Sequence, residues 1–556
     1  MLALLYACVS DGSEPLHDPV KAGEDTAGRL SDSETETLTG TGENDPSETV
    51  FDPTRIHDVA LTMSPADWAE VRDNPWTEVW VPAALTVDDE TVGEIGVRAF
   101  GYGSVVAGKP SLKLSMDHFT PGASWRGLEQ LKLDNSSQDF GFFNEFVATT
   151  VMREWGVPAA RTGWARLTVN GDPAGFFVLL EPVDDRFLQR WFSTDDGALY
   201  GTADGCWGQG LNPFTGDPLT WFNPQTDAGN GRDLIELSEL VASGSDAALA
   251  EGVDLPGFLK ESVGRSVMGS IDCLSCDGNN YYLYRDSEQW RVIPWDFDVE
   301  LGVWYMSTAL AVDPAAPWAS SPWAYNPING LAYTDPLLSR QLASGADLSV
   351  LVSELIEGPL DYPRWDAQIG ETADLIRDDV WADVLGYGPS FEQRAHDLRL
   401  FLHTRLSGLA GREVAECREL PAGGTWLSER QVSGSVGWGA LTVDQTGYWG
   451  PGFQVAGEHF CRGFFAHSPS TITLTVPAGT LKGAVGLQDW NQQCGNGAQF
   501  VVEQDGRRLW ESGELRNYDP AEVLEVVVDA GELVLSVDAL GEYSCDTAVW
   551  GDVRVE

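Results

Sequence analysis

The feature that most restricts the fold of this chain is a change of hydrophobic period near Pro421. Beyond it, Ile472–Val476, Gln499–Glu503 and Leu533–Val537 alternate apolar and polar residues between Gly and Asp turns. A period of two buries one face of a strand, so residues 420–556 are expected to form an all-β sandwich. Before it, Leu234–Ala250, Leu337–Ile356, Trp365–Trp381 and Phe391–Leu409 read as amphipathic helices. Earlier still, strands are expected at Val59–Met63, Ala84–Val87, Val92–Phe100, Ser111–Met116, Ala165–Val169 and Gly175–Glu181, the last two joined by an Asn170-Gly171 turn. Ser64-Pro65 supplies a cap and first-turn proline for a short helix at Trp68 and Val71, and a further helix spans Phe142–Trp155. Residues 51–415 therefore read as an α+β unit, an N-terminal antiparallel sheet followed by helices. A chain of 556 residues exceeds what one core serves, so more than one domain is required.

The first fifty residues belong to neither unit. Residues 1–8, Met1-Leu-Ala-Leu-Leu-Tyr-Ala-Cys8, are an apolar run ending in cysteine, resembling a bacterial lipobox. That resemblance implies a signal remnant, lipidation of Cys8 and an exported lipoprotein anchored at the cell envelope. The run is short and lacks a basic flank, which points to a start further upstream; a cytoplasmic protein with an incidental cysteine is the alternative. Residues 9–50 carry eleven acidic residues against Lys21 and Arg29, with no aromatic, and are expected to be a disordered stalk. A net charge of −51 repels phosphate backbones and excludes nucleic acid as a partner.

Cys417, Cys461, Cys494 and Cys545 cluster in the last 140 residues and suggest two disulfides there. Cys273-Leu-Ser-Cys276 has no second CxxC and no nearby histidine to complete a zinc site, so a local disulfide, or pairing with Cys206, is expected.

The same region carries the chemistry. It reads Asp272-Cys-Leu-Ser-Cys-Asp277-Gly-Asn-Asn280-Tyr-Tyr-Leu-Tyr284, and then Pro294-Trp-Asp296-Phe-Asp298. Phosphoryl transfer needs a carboxylate on the attacking hydroxyl, an amide and a carboxylate on a divalent cation, and a lysine on the phosphates. Asp272, Asn280, Asp296 and Lys109 offer those four. A buried hairpin with acidic ends is the plainer reading of the same residues.

With Gly108-Lys109-Pro-Ser-Leu-Lys113, Leu133-Asp134-Asn135 with Asp139, and Val169–Glu181, this order resembles the CotH kinase family over roughly residues 54–412. The resemblance implies a two-lobed atypical protein-kinase-like domain using ATP with Mg²⁺ or Mn²⁺. In it Asp272 would be the catalytic aspartate, Lys109 the phosphate contact, Asn280 and Asp296 metal ligands with Asp298 in reserve, and Lys113, Arg98 and Glu181 further nucleotide contacts. This chain departs from the family at Arg98-Ala-Phe-Gly101-Tyr-Gly103-Ser104, which puts phosphate cradling in question. Gly103–Lys109 imitates a P-loop, but Pro110 and a following strand rule that out.

Gly463-Phe-Phe-Ala-His467-Ser468, Asn496–Val502 and Asp546-Thr-Ala-Val-Trp550-Gly-Asp552 resemble an NPCBM carbohydrate-binding module. That implies a jelly-roll fold and glycan binding through Trp490, Trp449, Trp438 and Asp489. His467 reads as structural. Two functions follow as expectations: a surface-anchored phosphotransferase acting on a surface protein substrate, or an inactive kinase-fold adhesin or scaffold binding glycans or proteins. A glycosidase has no local motif behind it.

Overall fold

The computed structural model describes residues 45–556 apart from 204–207, 271, 288, 303–334, 411–422, 438–440, 447–449, 452, 457, 489–496, 518 and 542–545. Cys8 and the stalk up to residue 44 lie outside them. Two compact units divide the chain, one within Met1–Val303 and Trp318–Gly388, the other within Trp304–Pro317 and Pro389–Glu556.

The first unit opens with seven strands: β1 (Ile56–Thr62), β2 (Val81–Val87), β3 (Glu90–Phe100), β4 (Ser111–Ser115), β5 (Gln130–Asp134), β6 (Thr162–Val169) and β7 (Asp172–Leu180). They form a closed barrel in the order β1-β2-β3-β4-β5-β7-β6. The expected antiparallel sheet is thus closed by one parallel pair. β6 lies parallel on β1, Ile56 against Trp164 through Leu61 against Val169, and closure removes both free edges. The alternation seen in the sequence fills the barrel: Leu61, Leu85, Val97, Leu112, Leu114, Leu131, Leu133, Leu167 and Leu179 are each buried in one cluster, each worth roughly 2 kcal/mol of transfer free energy. Asn170 (φ 55°) and Gly171 (φ 87°) make the tight β6–β7 turn, both in the left-handed region their residue types tolerate.

Residues 45–50, assigned to the stalk, are packed, so that part of the expectation is corrected. Asp45 caps a 3₁₀ turn, Pro46–Thr49, and Arg161 holds that turn through Glu48 at 2.9 Å and Ser47 Oγ at 2.9 Å.

After helix α1 (Pro65–Asp73) in the barrel, α2 (Asn144–Glu154) and α3 (Asp185–Trp191) lead to a second sheet. Its strands are β8 (Ala198–Thr202), β9 (Phe222–Pro224), β10 (Tyr281–Arg285) and β11 (Trp290–Pro294), in the order β11-β10-β8-β9. Phe187 and Leu188 of α3 pack with Leu199, Tyr284 and Ile293 beneath it. The helix expected at 234–250 is two, α4 (Arg232–Ser243) and α5 (Asp246–Gly252), because Ser245 caps a new start by accepting from the Ala248 amide. Helix α6 (Leu255–Val267) follows. The expected helix 337–356 is likewise broken into Pro336–Ala343 and Ser349–Ile356, with Gly345 at φ 86° between them. Tyr362–Trp381 is one helix.

In the second unit a helix, Gly388–Leu409, precedes the β-rich part. There, two antiparallel sheets share one core that includes Phe464, Ile472, Val485, Phe500, Leu535 and Trp550. Successive strands pass between the sheets: Gly463–His467 in one, Ser470–Val476 in the other, then Gly479–Leu487 back in the first. His467 is buried, with Nδ1 2.8 Å from the Ser468 carbonyl.

Candidate functional site

A cavity of about 340 Å³ opens in the first unit between one face of the barrel and the β8–β11 sheet. Its barrel wall is a row of cations. Arg98 on β3 pairs with Lys113 on β4, and Lys113 with Lys132 on β5, each directly opposite the next. Leu131 and Leu133 point into the barrel, so the pleat turns Lys132 and Asp134 to the cavity. Like charges directly opposite one another repel. Burial, then Lys113 and Arg98, lower the Lys132 ammonium to about 7; its Nζ lies 3.9 Å from the Trp295 ring centroid. Glu78 partners Arg98.

The facing wall carries Asp272, Asn279, Asn280, Asp296 and Asp298, with Glu145 of α2, while Asp134 adds a carboxyl to the barrel wall beside Lys132. Register explains the convergence. Tyr281 pairs with Pro294, so Asn280 and Trp295 leave the hairpin side by side, and the Trp295 amide donates to the Asn280 carbonyl at 3.0 Å. Both Asn280 and Asp296 are left-handed at φ 56°, which Asn and Asp accept more readily than other non-glycine residues. Arg265 of α6 holds this geometry from behind. It is fully buried and donates to the carbonyls of Asn280 (3.1 Å), Trp295 (2.6 Å) and Asp296 (3.0 Å). Its charge is met by Glu300 and by Glu261 at 3.5 Å. Asn144, at the start of α2, donates to the Asp298 and Glu300 carbonyls at 2.8 and 2.9 Å, and the Phe297 amide donates to Glu145 at 2.7 Å. Asp272 accepts from Asn279 Nδ2 at 2.9 Å.

These carboxyls crowd one another. Burial and then Asp296 push Glu145 and Asp298 well above the usual carboxylate range. Burial also raises Asp134 to about 6 and raises Asp272. No three acidic, histidine or cysteine side chains form a ready-made metal cage among the described residues. Asp296 and Asn280 nevertheless present the oxygens a hard divalent cation takes, and magnesium typically completes its shell with water and phosphate rather than with a protein cage. The residues fit such an ion on that basis, and its charge would relieve the crowding.

Of the sequence-expected residues, Asp272, Asn280, Asp296, Asp298, Arg98 and Lys113 come together here. Lys109 does not, and its assignment as phosphate contact is corrected. It is fully buried, 2.8 Å from Asp383, with Phe142, Phe177 and Tyr387 around its ammonium. Glu181 is also outside the lining: it is buried against Arg161 at 2.7 Å and Arg190, so it has no place as a nucleotide contact. Lys132, Asp134 and Glu145 were the residues missed. The Gln-Leu-Lys-Leu-Asp alternation of β5 was the available signal for the first two, since it puts both on the face opposite the leucines. The loop Gly101–Ser104, divergent in sequence, does line the cavity.

Cys273 and Cys276 form a local disulfide, and Cys461 is disulfide-bonded. Cys206, Cys417, Cys494 and Cys545 lie outside the described residues, as do Trp438, Trp449, Asp489 and Trp490.

The CotH kinase protein family model matches residues 97–406, and the NPCBM/NEW2 domain model matches residues 423–556. Inner spore coat protein H of Bacillus subtilis is 22 % identical over 255 residues, covering 44 % of this chain and 68 % of that one. Among solved structures, the CBM51-2 and INT domains of Clostridium perfringens ZmpB are 24 % identical, with 24 % of this chain and 31 % of that chain covered, at a TM-score of 0.23. CBM51 from C. perfringens GH95, solved with methyl-galactose, is 21 % identical over 24 % of this chain and all of that one, at 0.22. The Shewanella oneidensis HipA, HipB and operator DNA complex matches 52 % of this chain and 61 % of that chain at 13 % identity and 0.21. Scores this low transfer no fold. The family match covers more than half of the sequence and contains every residue of the acidic wall, and on that ground the chain belongs to the CotH kinase protein family and carries a C-terminal NPCBM/NEW2 carbohydrate-binding module.

Proposed function

We propose that the first unit is an atypical kinase-like phosphotransferase that binds ATP with Mg²⁺ or Mn²⁺ and transfers phosphate to a hydroxyl of a surface protein, while the second unit holds a glycan. The observation carrying this reading is the opposition of walls, with Arg98, Lys113 and Lys132 in register across three strands and Asp272, Asn280, Asp296 and Asp298 facing them. Triphosphate needs cations on its oxygens and a metal between them and the protein's carboxylates. Arg98, Lys113 and Lys132 would bind the phosphates, Asp296 and Asn280 the ion, with Asp298 beside them. The ion, when bound, neutralises charge developing on the transferred group. Asp272, oriented by Asn279, would accept the proton of the attacking hydroxyl. Its raised affinity for protons, caused by burial, suits a base.

An exported lipoprotein anchored through Cys8 remains part of this proposal, and such a location requires a local source of nucleotide. The experiment is calorimetric titration of the full chain with ATP and Mn²⁺, and again with ATP and Mg²⁺, beside Asp296→Ala and Lys113→Ala. Binding that Asp296→Ala abolishes and Lys113→Ala weakens about tenfold, the scale of one charged hydrogen bond, supports the site. No binding by the unsubstituted chain with either metal sinks it. The second reading, a scaffold without turnover, is favoured by the divergent loop at residues 98–104; nucleotide binding with no phosphate transferred to any protein would select it.

A further inference from the structure

The four residues Cys273–Cys276 fall between Asp272 and the pair Asn279-Asn280, all three of which line the cavity. The bridge closes a single turn, with the Cα atoms 4.8 Å apart. In that turn the amides of Cys276, Asp277 and Gly278 all donate to one acceptor, the Cys273 carbonyl, at 2.9, 3.0 and 3.1 Å. Three donors on one oxygen exceed its two lone pairs, and the Asp277 carboxylate adds to them by accepting from the Cys273 and Asn279 amides. The product of the turn is the cavity wall: Gly278 at φ 80° and Asn280 at φ 56°, Asn279 donating to the Asp272 carboxylate, and Asn280 Nδ2 donating to the Asp272 carbonyl at 3.3 Å.

A cross-link stabilises a fold by closing loops in the unfolded chain, and a loop this short is the least effective case. The bridge therefore contributes little to global stability. What it does is fix the local turn. Leu274 is fully buried and Ser275 Oγ lies 2.9 Å from Ser262 Oγ on α6, so without the bridge the middle of the turn stays anchored and its ends depend on the Asp277 carboxylate and on Arg265 at the Asn280 carbonyl.

Resting on the phosphotransfer reading above, we infer that Cys273–Cys276 is a thiol-sensitive latch: oxidised, it holds Asp272 and Asn280 in place for metal and hydroxyl; reduced, it lets them drift and disarms the site. The co-reactant is a dithiol. One of its thiolates attacks the sulfur of Cys276, the less buried of the two residues, breaking the S–S bond and leaving a mixed disulfide. Its second thiol then displaces Cys276, so the dithiol leaves as its own disulfide, having given two electrons and two protons to Cys273 and Cys276.

The test compares the oxidised full chain with a Cys273→Ser/Cys276→Ser variant, because chemical reduction would also open the bridge at Cys461. Two readouts are taken: amide exchange at positions 276, 277 and 278, and the Kd for ATP with Mn²⁺. The latch predicts exchange and Kd each rising about tenfold in the variant, with the thermal midpoint little changed. Unchanged exchange overturns it, and so does faster exchange with an unchanged Kd. If neither form binds nucleotide, the phosphotransfer reading falls, and the latch is then decided on exchange at Asn279 and Asn280: unchanged there, it is overturned; accelerated, it stands as a control on the cavity wall.

Discussion

Two lysines of the barrel show how neighbours set a side chain's role. Lys109 is enclosed, and burial pushes its ammonium down while Asp383 pulls it back up. Asp383 also accepts the Phe176 amide at 2.7 Å. Removing one partner strands a buried charge, so Lys109→Met is expected to cost about 3–5 kcal/mol, read as a lower urea midpoint. Adding Asp383→Leu should recover much of that loss. Lys132, by contrast, faces the cavity and is held only by its surroundings. Across from it, burial raises Glu145, Asp298, Asp134 and Asp272, and the charge of Asp296 adds to each. Asp296→Asn is therefore expected to stabilise the metal-free chain by on the order of 1 kcal/mol while weakening metal–nucleotide binding at least about a hundredfold. A thermal-shift series with and without Mn²⁺ reads both. A variant that lost stability instead would show that Asp296 is held by attraction rather than crowded by repulsion.

At the scale of elements, α6 delivers a charged cluster into the core behind the β10–β11 hairpin. Glu261 and Glu300 both flank Arg265, and burial raises each carboxyl to about 7. Their ordinary value, near 4.5, applies in the unfolded chain. Between those values the native state holds more protons than the unfolded one, so stability falls as pH rises from about 4.5 to 7. The metal-free chain should melt highest near pH 5 and progressively lower toward pH 8, and Glu300→Gln should flatten the slope. A midpoint that climbs over the same range would mean that Arg265 keeps both carboxylates ionised. The elements also show what the sequence could carry. The hairpin Tyr281–Pro294 and its acidic ends were legible because local spacing places them. The Asn170-Gly171 turn was legible for the same reason. Barrel closure was not, since the β1–β6 parallel pair joins strands a hundred residues apart and leaves no local mark. Lys109 was misread because a GK pair beside a strand looks the same whether its lysine meets phosphate or a distant Asp383.

At the scale of the whole molecule, charge governs how the cavity can be filled. Arg98, Lys113 and Lys132 are its cations, and Arg98 is already paired with Glu78, while Lys132 is near 7 and so partly neutral at pH 7. Against them stand Asp134, Glu145, Asp272, Asp296 and Asp298 in the same lining, within a chain of net charge −51. Burial and then Asp296 push Glu145 and Asp298 toward the protonated form, so the cavity is poorer in negative charge than its lining suggests, while the long-range field of the chain opposes a bare triphosphate. A divalent cation turns the local balance positive, since it is attracted by the carboxylates and then presents positive charge to the phosphates. Binding should therefore be strictly metal-first. ATP in EDTA is expected to bind at least about a hundredfold more weakly than ATP with Mn²⁺. Mn²⁺ alone should bind less tightly as ionic strength rises from about 0.02 to 0.2 M, because salt shortens the reach of the protein's negative field from a Debye length of about 20 Å to about 7 Å. Equal ATP affinity with and without metal would mean that the cationic row alone carries the phosphates and that the acidic wall serves only the acceptor hydroxyl.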